Sequence, residues 1–165
     1  MIWNVHQIEW IFSGVGVTAL TLGWRWYRRI SHKPAKSQGP PEMSMRILIV
    51  DVDHELQSKL INAGWVHTRQ KGDIINLGDE EVLHAQVIFV TVKGVGATLF
   101  KEEGLALAVA LKQRHPNKKI VLYGVEGSVE LFYNVARELD AFVPKDAQLY
   151  DFVRLLEKFA RELSR

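Results

Sequence analysis

RILIVD (46–51) and QVIFVTV (86–92) decide the fold of this chain. Each is a short apolar run dominated by β-branched and aromatic residues, which suits a strand buried within a sheet. Neither has the polar alternation of a half-exposed strand, and neither is long enough for a core helix. The residues between them switch to helical spacing, so strand and helix alternate from Arg46 onward. That alternation is the pattern of βα units on a parallel sheet.

Outward from these two runs, His54–Ala63 reads as a helix and WVHTR (65–69) as a second strand. QKGDIINLGD (70–79) has no clear period. Gly104–His115 is a helix closed by HPN (115–117), and KIVLYG (119–124) is a fourth strand. Val129–Leu139 reads as a helix, AFV (141–143) as a short fifth strand and Ala147–Leu163 as the last helix. Leu149, Phe152, Val153, Leu156, Phe159, Ala160 and Leu163 recur there at threes and fours, which marks its buried stripe. Five such units predict an α/β fold: a doubly wound, five-stranded parallel sheet with the flavodoxin-like order 2-1-3-4-5. This globular domain is assigned to residues 46–165.

The first 45 residues have a different character. Trp10–Trp24, WIFSGVGVTALTLGW, contains no charge. As a helix its 15 residues span about 22 Å, short of the roughly 30 Å hydrocarbon core, and extension from Ile2 or Val5 to Tyr27 supplies the rest. Four of the five tryptophans (Trp3, Trp10, Trp24 and Trp26) lie here, at the two ends of that segment. Arg25, Arg28, Arg29 and Lys33 follow it. Residues 1–45 carry five basic and two acidic groups, while the remaining 16 basic and 17 acidic groups fall in 46–165. Positive charge directly after an apolar run predicts one transmembrane helix within residues 1–30, with the globular domain in the cytoplasm at the inner membrane. A signal peptide would carry its charge before the apolar run, and a buried core helix is the other alternative. Gly16 and Gly23, among small residues at spacings of three and four, allow a second helix to approach and suggest a homo-oligomer through this segment. Residues 31–45, SHKPAKSQGPPEMSM, hold three of the five prolines and read as a linker.

Composition removes several chemistries. The chain has no Cys, which excludes a disulfide scaffold, thiolate metal sites and a Cys nucleophile. The six histidines show no metal-ligand spacing, and GxSxG, HExxH and GxxxxGK[ST] are all absent. Glu102 and Glu103 read as a solvated helix start. The globular part has no basic patch of its own for nucleic acid. No catalytic constellation is present, and the expectation is a protein that is not an enzyme and uses no cofactor.

Three segments then resemble the response-regulator receiver, or CheY-like, family over most of 46–163. RILIVDVDHELQ is similar to its first strand with an acidic cluster, EGLALAVALKQRHPNKKIVLYG to its third helix and fourth strand, and LDAFVPKDAQLYDFVRLL to its fifth strand and last helix. The resemblance implies a phosphoacceptor Asp ending the third strand, an acidic pair after the first strand holding Mg²⁺, a Ser or Thr ending the fourth strand and a Lys ending the fifth. In this sequence Asp51 matches the first acid, but Val52 follows it, with Asp53 one position later. Thr91 stands at the phosphoacceptor position and Gly124 at the hydroxyl position, and Lys145 matches. The resemblance is therefore to a degenerate receiver. A neutral Thr91 cannot form an acyl phosphate, and one missing carboxylate disfavours Mg²⁺.

In a sheet of this order ligands bind outside the carboxyl ends of the strands, at the switch point. The candidate ligand residues are Asp51, Asp53, Thr91, Gly94, Gly96 and Lys145, with Asp51 and Asp53 a weak metal pair. Gly94 and Gly96, in the long loop VKGVGATLFKEEG (92–104), lack a Cβ and would let a ligand near the backbone; a plain flexible turn is the competing reading. Asp53 also suits a helix N-cap, and Lys145 a pair with Asp51. The candidate anchor residues are Trp10, Gly16, Gly23, Trp24, Arg25, Arg28 and Arg29. The resulting expectation is a membrane-anchored, non-phosphorylated receiver-like domain sensing a protein partner or a small ligand such as a nucleotide. The alternatives are a ligand-gated effector that perturbs the membrane in antiphage defence and an active two-component receiver.

Overall fold

The computed structural model describes residues 41–101, 103–125 and 137–164. The expected anchor within 1–30, its candidate residues and most of the expected linker lie outside the described residues. Among the described residues no helix is long and apolar enough to cross a membrane. The chain is ordered before Arg46: Pro41–Ser44 form a 3-10 turn and Met45 is 4% exposed.

Five strands form one parallel sheet in the order β2-β1-β3-β4-β5. They are β1 (Ile47–Val50), β2 (Thr68–Lys71), β3 (Val87–Thr91), β4 (Lys119–Val125) and β5 (Ala141–Pro144). The helices are α1 (Glu55–Asn62), α2 (Glu80–His84), α3 (Glu103–Arg114) and α4 (Leu149–Leu163). Side chains alternate across each strand, so every central strand feeds two cores. Leu48, Val50, Ile88, Val90, Ile120 and Leu122 pack on one face with Val82 of α2 and Leu107, Ala108 and Leu111 of α3. Ile47, Ile49, Val87, Phe89, Val121 and Val143 pack on the other with Leu60 of α1 and Phe152, Leu156 and Phe159 of α4. Two buried faces explain the unbroken apolar runs of β1 and β3. The stripe read on the last helix is the surface it buries, except that Leu163 is 38% exposed. That helix begins at Leu149, where an Asp151 carboxylate oxygen accepts the Gln148 N–H at 2.9 Å.

One local reading is corrected, and two other segments differ from the reading or lie outside the described residues. The second strand is Thr68–Lys71, paired residue by residue with Ile47–Val50, and excludes Trp65–His67. Trp65, 1% exposed, turns into the core after α1, with its backbone N–H donated to the Leu60 carbonyl at 3.0 Å. The Thr68 hydroxyl then donates to the Trp65 carbonyl at 2.6 Å, which sets the start of the strand. An aperiodic, polar TRQK forms a strand because it is the sheet edge, where charge is tolerated. The short helix α2 was not anticipated in 70–84. Asp79 caps it, accepting the Glu81 N–H at 3.2 Å and the Lys71 ammonium at 2.5 Å. Its last carbonyls are taken by Arg46 and Lys118, the latter donating to Leu83 at 2.7 Å and Ala85 at 2.6 Å. Finally, the helix expected over 129–139 falls outside the described residues as far as 136, and 137–140 is a turn leading into β5. Asp140 fixes that turn by accepting the Ile120 N–H at 2.9 Å and the Lys112 ammonium at 2.7 Å.

The start of α3 is wedged against the end of β3. A Cβ added at Gly104 would lie 1.8 Å from the Thr91 carbonyl oxygen, whereas one at Gly72 would meet nothing within 4 Å. Gly104→Ala is therefore expected to destabilise the chain by about 1–3 kcal/mol or more, as overpacking does. Gly72→Ala is expected to be neutral or to stabilise by a few tenths of a kcal/mol. Urea unfolding of the two variants beside the wild type checks this, and equal stability of the two would contradict it.

Candidate functional site

The parallel arrangement delivers the carboxyl ends of β1, β3, β4 and β5 to one edge of the sheet, where a cavity of about 420 Å³ opens. Asp51 and Asp53 line it after the end of β1, Thr91 from β3 and Lys93 from the loop that follows it, Tyr123 and Gly124 from β4, and Lys145 from the end of β5. Four of the six residues expected to bind a ligand are thus brought together: Asp51, Asp53, Thr91 and Lys145. Gly94 and Gly96 do not line this cavity. Their N–H groups are spent inside the protein, that of Gly94 on the Glu103 carboxylate at 2.8 Å and that of Gly96 on Asp73 at 2.5 Å. They shape the β3–α3 loop and leave no amide cradle for a ligand there. Glu103 does start α3, and its carboxylate also clasps that loop, with the residue held at a φ of 48° that side chains rarely adopt.

Asp51 is held through both its backbone and its side chain. Its backbone N–H donates to the Lys71 carbonyl at 3.0 Å, and its carbonyl accepts from the Gln70 amide at 2.8 Å. One carboxylate oxygen accepts the Asp53 N–H at 3.1 Å. The other accepts the Tyr123 hydroxyl in a short hydrogen bond. Asp53 in turn accepts the Glu55 N–H at 3.0 Å, so its carboxylate closes the turn that opens α1, close to the capping role considered for it. Lys145 donates its backbone N–H to Val125 at 3.2 Å and lines the cavity.

Tyr123 lies inside the apolar run KIVLYG, where the sequence marks it only as a strand position. It is buried in an aromatic group with Phe89 and Phe152, at centroid distances of 6.4 and 6.0 Å and nearly edge-on to both. Burial pushes its phenol well above the usual range, and the hydrogen bond to Asp51 and the charges of Asp51 and Asp53 push in the same direction. The legible signal was a tyrosine beside a glycine at a buried strand end, because a buried phenol must find an acceptor. Gly124 supplies the geometry. It has a φ of 76° and sits in a bulge where the β4–β5 register shifts between Tyr123 and Val125.

A second cavity, of about 680 Å³, lies between β2, the start of β1 and α2. None of the residues expected from the sequence lines it.

No family model matches the sequence, and no curated protein matches it. Solved structures do. The chain resembles NtrX from Brucella abortus in its ATP complex, at 19% identity and a TM-score of 0.54, over 72% of this chain. It spans only 27% of that protein's length, so the likeness is confined to one part of it. The isolated receiver domain of the same NtrX matches at 20% identity and a TM-score of 0.55, over 70% of this chain and 98% of that one. A CheY-like receiver domain protein from Methanospirillum hungatei matches at 18% identity and a TM-score of 0.54, over 73% and 96%. The fold is that of a response-regulator receiver.

That fold raises the question of a divalent cation at the strand ends, and the residues present do not fit one. Val52, 66% exposed, follows Asp51 where a second acid would stand. Thr91 brings a neutral side chain, and both Asp51 carboxylate oxygens already accept hydrogen bonds from within the chain.

The raised phenol gives a pH dependence with a definite sign. The unfolded chain loses the Tyr123 proton near pH 10, while the folded chain holds it to higher pH. The stability contributed by the neutral phenol is complete below pH 10 and is lost as pH rises further, at up to about 1.4 kcal/mol per pH unit. Tyr123→Phe is expected to cost about 1.5–3 kcal/mol at pH 7, the range for a hydrogen bond to a charged group. The gap to wild type should narrow above pH 10. Urea unfolding of both proteins from pH 7 to 11 measures it, and a constant gap would contradict the assignment.

Proposed function

We propose that this chain is a membrane-anchored, receiver-like signalling protein that works by binding and without phosphotransfer. The receiver fold supports a signalling role at the level of the domain. The single observation that carries the finer reading is the state of Asp51. It is the one carboxylate matching the fold's acid set at its own position, and Tyr123 and the Asp53 amide occupy its oxygens. With Thr91 neutral and Gly124 lacking a hydroxyl, the matching positions among the described residues offer no phosphoryl acceptor, and Asp51 with Asp53 does not make the acid pair that holds Mg²⁺. The domain is then not an enzyme and needs no cofactor.

What remains at the strand ends is a polar cavity that Asp51, Asp53, Thr91 and Lys145 line and that suits a small ligand or a loop of a protein partner. The apolar, Trp-flanked segment before residue 30, followed by Arg25, Arg28 and Arg29, would fix the chain in the inner membrane with this domain in the cytoplasm. Association of that segment through Gly16 and Gly23 would bring copies of the domain together.

The full chain is expected to sediment with membranes, to stay there through a high-salt wash and to gain no phosphoryl mass when incubated with Mg²⁺ and a small phosphodonor. Release by salt would contradict the anchor. A mass gain of one phosphoryl group would contradict the reading of Thr91 and Asp51.

A further inference from the structure

We infer that the Tyr123 hydroxyl is the resident ligand of Asp51, standing where the receiver fold would hold a cation, and that the Tyr123–Phe152 contact ties the strand-end cavity to the packing of α4. The geometry begins with the sheet. Asp51 directly follows β1 and Tyr123 belongs to β4, with β3 between them, so their backbones are two strand spacings, roughly 10 Å, apart. A phenol and a carboxylate meet across that distance only by leaning toward each other over the end of β3, where Thr91 is the register partner of Tyr123. Their bond therefore spans the position at which a group bound to residue 91 would sit.

Two features show that the bridge is built into the fold. The bulge at Gly124 is the one place where the β4–β5 register slips, immediately after Tyr123, and bulges beside sites re-aim side chains. At the other end, Asp51 is held by β2 on both its N–H and its carbonyl, through Lys71 and Gln70. The bridge thus links the β2 edge, β1 and β4. Its ring continues the path, because Phe152 of α4 packs against both Tyr123 and Phe89 and lines the same cavity. An occupant that takes Asp51 must displace the hydroxyl and so move a ring on which α4 rests. An unliganded domain is held in one arrangement by its own side chain.

This inference rests on the non-phosphorylated reading of the cavity, and the two fail separately in one experiment. Hydrogen–deuterium exchange is followed by mass spectrometry on the full chain as wild type, Tyr123→Phe and Tyr123→Phe with Asp51→Asn. Removing only the hydroxyl leaves the aromatic packing in place. It is expected to speed exchange about tenfold or more in two peptides, 51–56 and 149–156, the loss of a charge-assisted bond felt as local opening. At labelling times short against global unfolding the β1, β3 and β4 peptides stay protected in every variant, and Asp51→Asn adds nothing further to the double variant. Unchanged exchange in either peptide, a uniform rise through all strands, or an additive double variant would overturn the inference. Intact mass after exposure to Mg²⁺ and acetyl phosphate is read on the same samples. A phosphoryl gain with the local exchange pattern intact would sink the non-phosphorylated reading alone.

Discussion

Burial of the central strands on both faces is the constraint from which the rest of this structure follows. β1, β3 and β4 carry apolar side chains on both sides, and a strand of that kind persists only when helices cover each face. Covering each face requires a crossover after every strand, and parallel crossovers return every strand in the same direction. All the carboxyl ends then arrive at one edge, and the loops that leave them define the cavity. The position of Asp51, Thr91, Tyr123 and Lys145 in space is thus a consequence of the core.

At that edge the chain keeps the receiver frame, and the function proposed for it rests on a different chemistry there. A phosphorelay receiver needs carboxylates that are free to bind a cation and an acceptor that can form an acyl phosphate. In the proposed reading, an exposed Val52, a neutral Thr91 and a Gly124 beside the Tyr123 that bonds Asp51 stand in place of that set. The substitutions are mutually consistent. With Asp53 spent on the turn before α1, the phenol satisfies the Asp51 carboxylate and the buried hydroxyl gains the acceptor it needs. The loop after β3 is tied down in the same manner, through the Glu103 and Asp73 carboxylates on backbone amides. Both devices use carboxylates to organise the chain where a receiver would use them on its ligands.

The fold was legible because its signals are the strong ones: the apolar runs at 46–51, 86–92 and 119–124, and the stripe of the last helix. Register was less so. WVHTR looked like a strand because Trp and Val favour one, but Trp65 contributes more to the core from a turn, and the edge strand falls on polar residues that no pattern marks. In the site, Asp51, Asp53, Thr91 and Lys145 could be placed because strand ends are fixed by topology. Gly94 and Gly96 could not, since a glycine pair does not say which way its amides point. Tyr123 was hidden within an apolar run, and its role depends on a bulge and on a partner 72 residues away, which no local reading supplies.

The central claim is that the Tyr123 phenol is buried and bound to Asp51 in the folded chain. The most direct measurement is an alkaline titration of tyrosinate absorbance in the wild type and in Tyr123→Phe, over the range in which both remain folded. The account predicts superimposable curves, because Tyr123 stays protonated until the chain unfolds. A wild-type curve that exceeds the variant by one tyrosine, with a midpoint near pH 10, would contradict it.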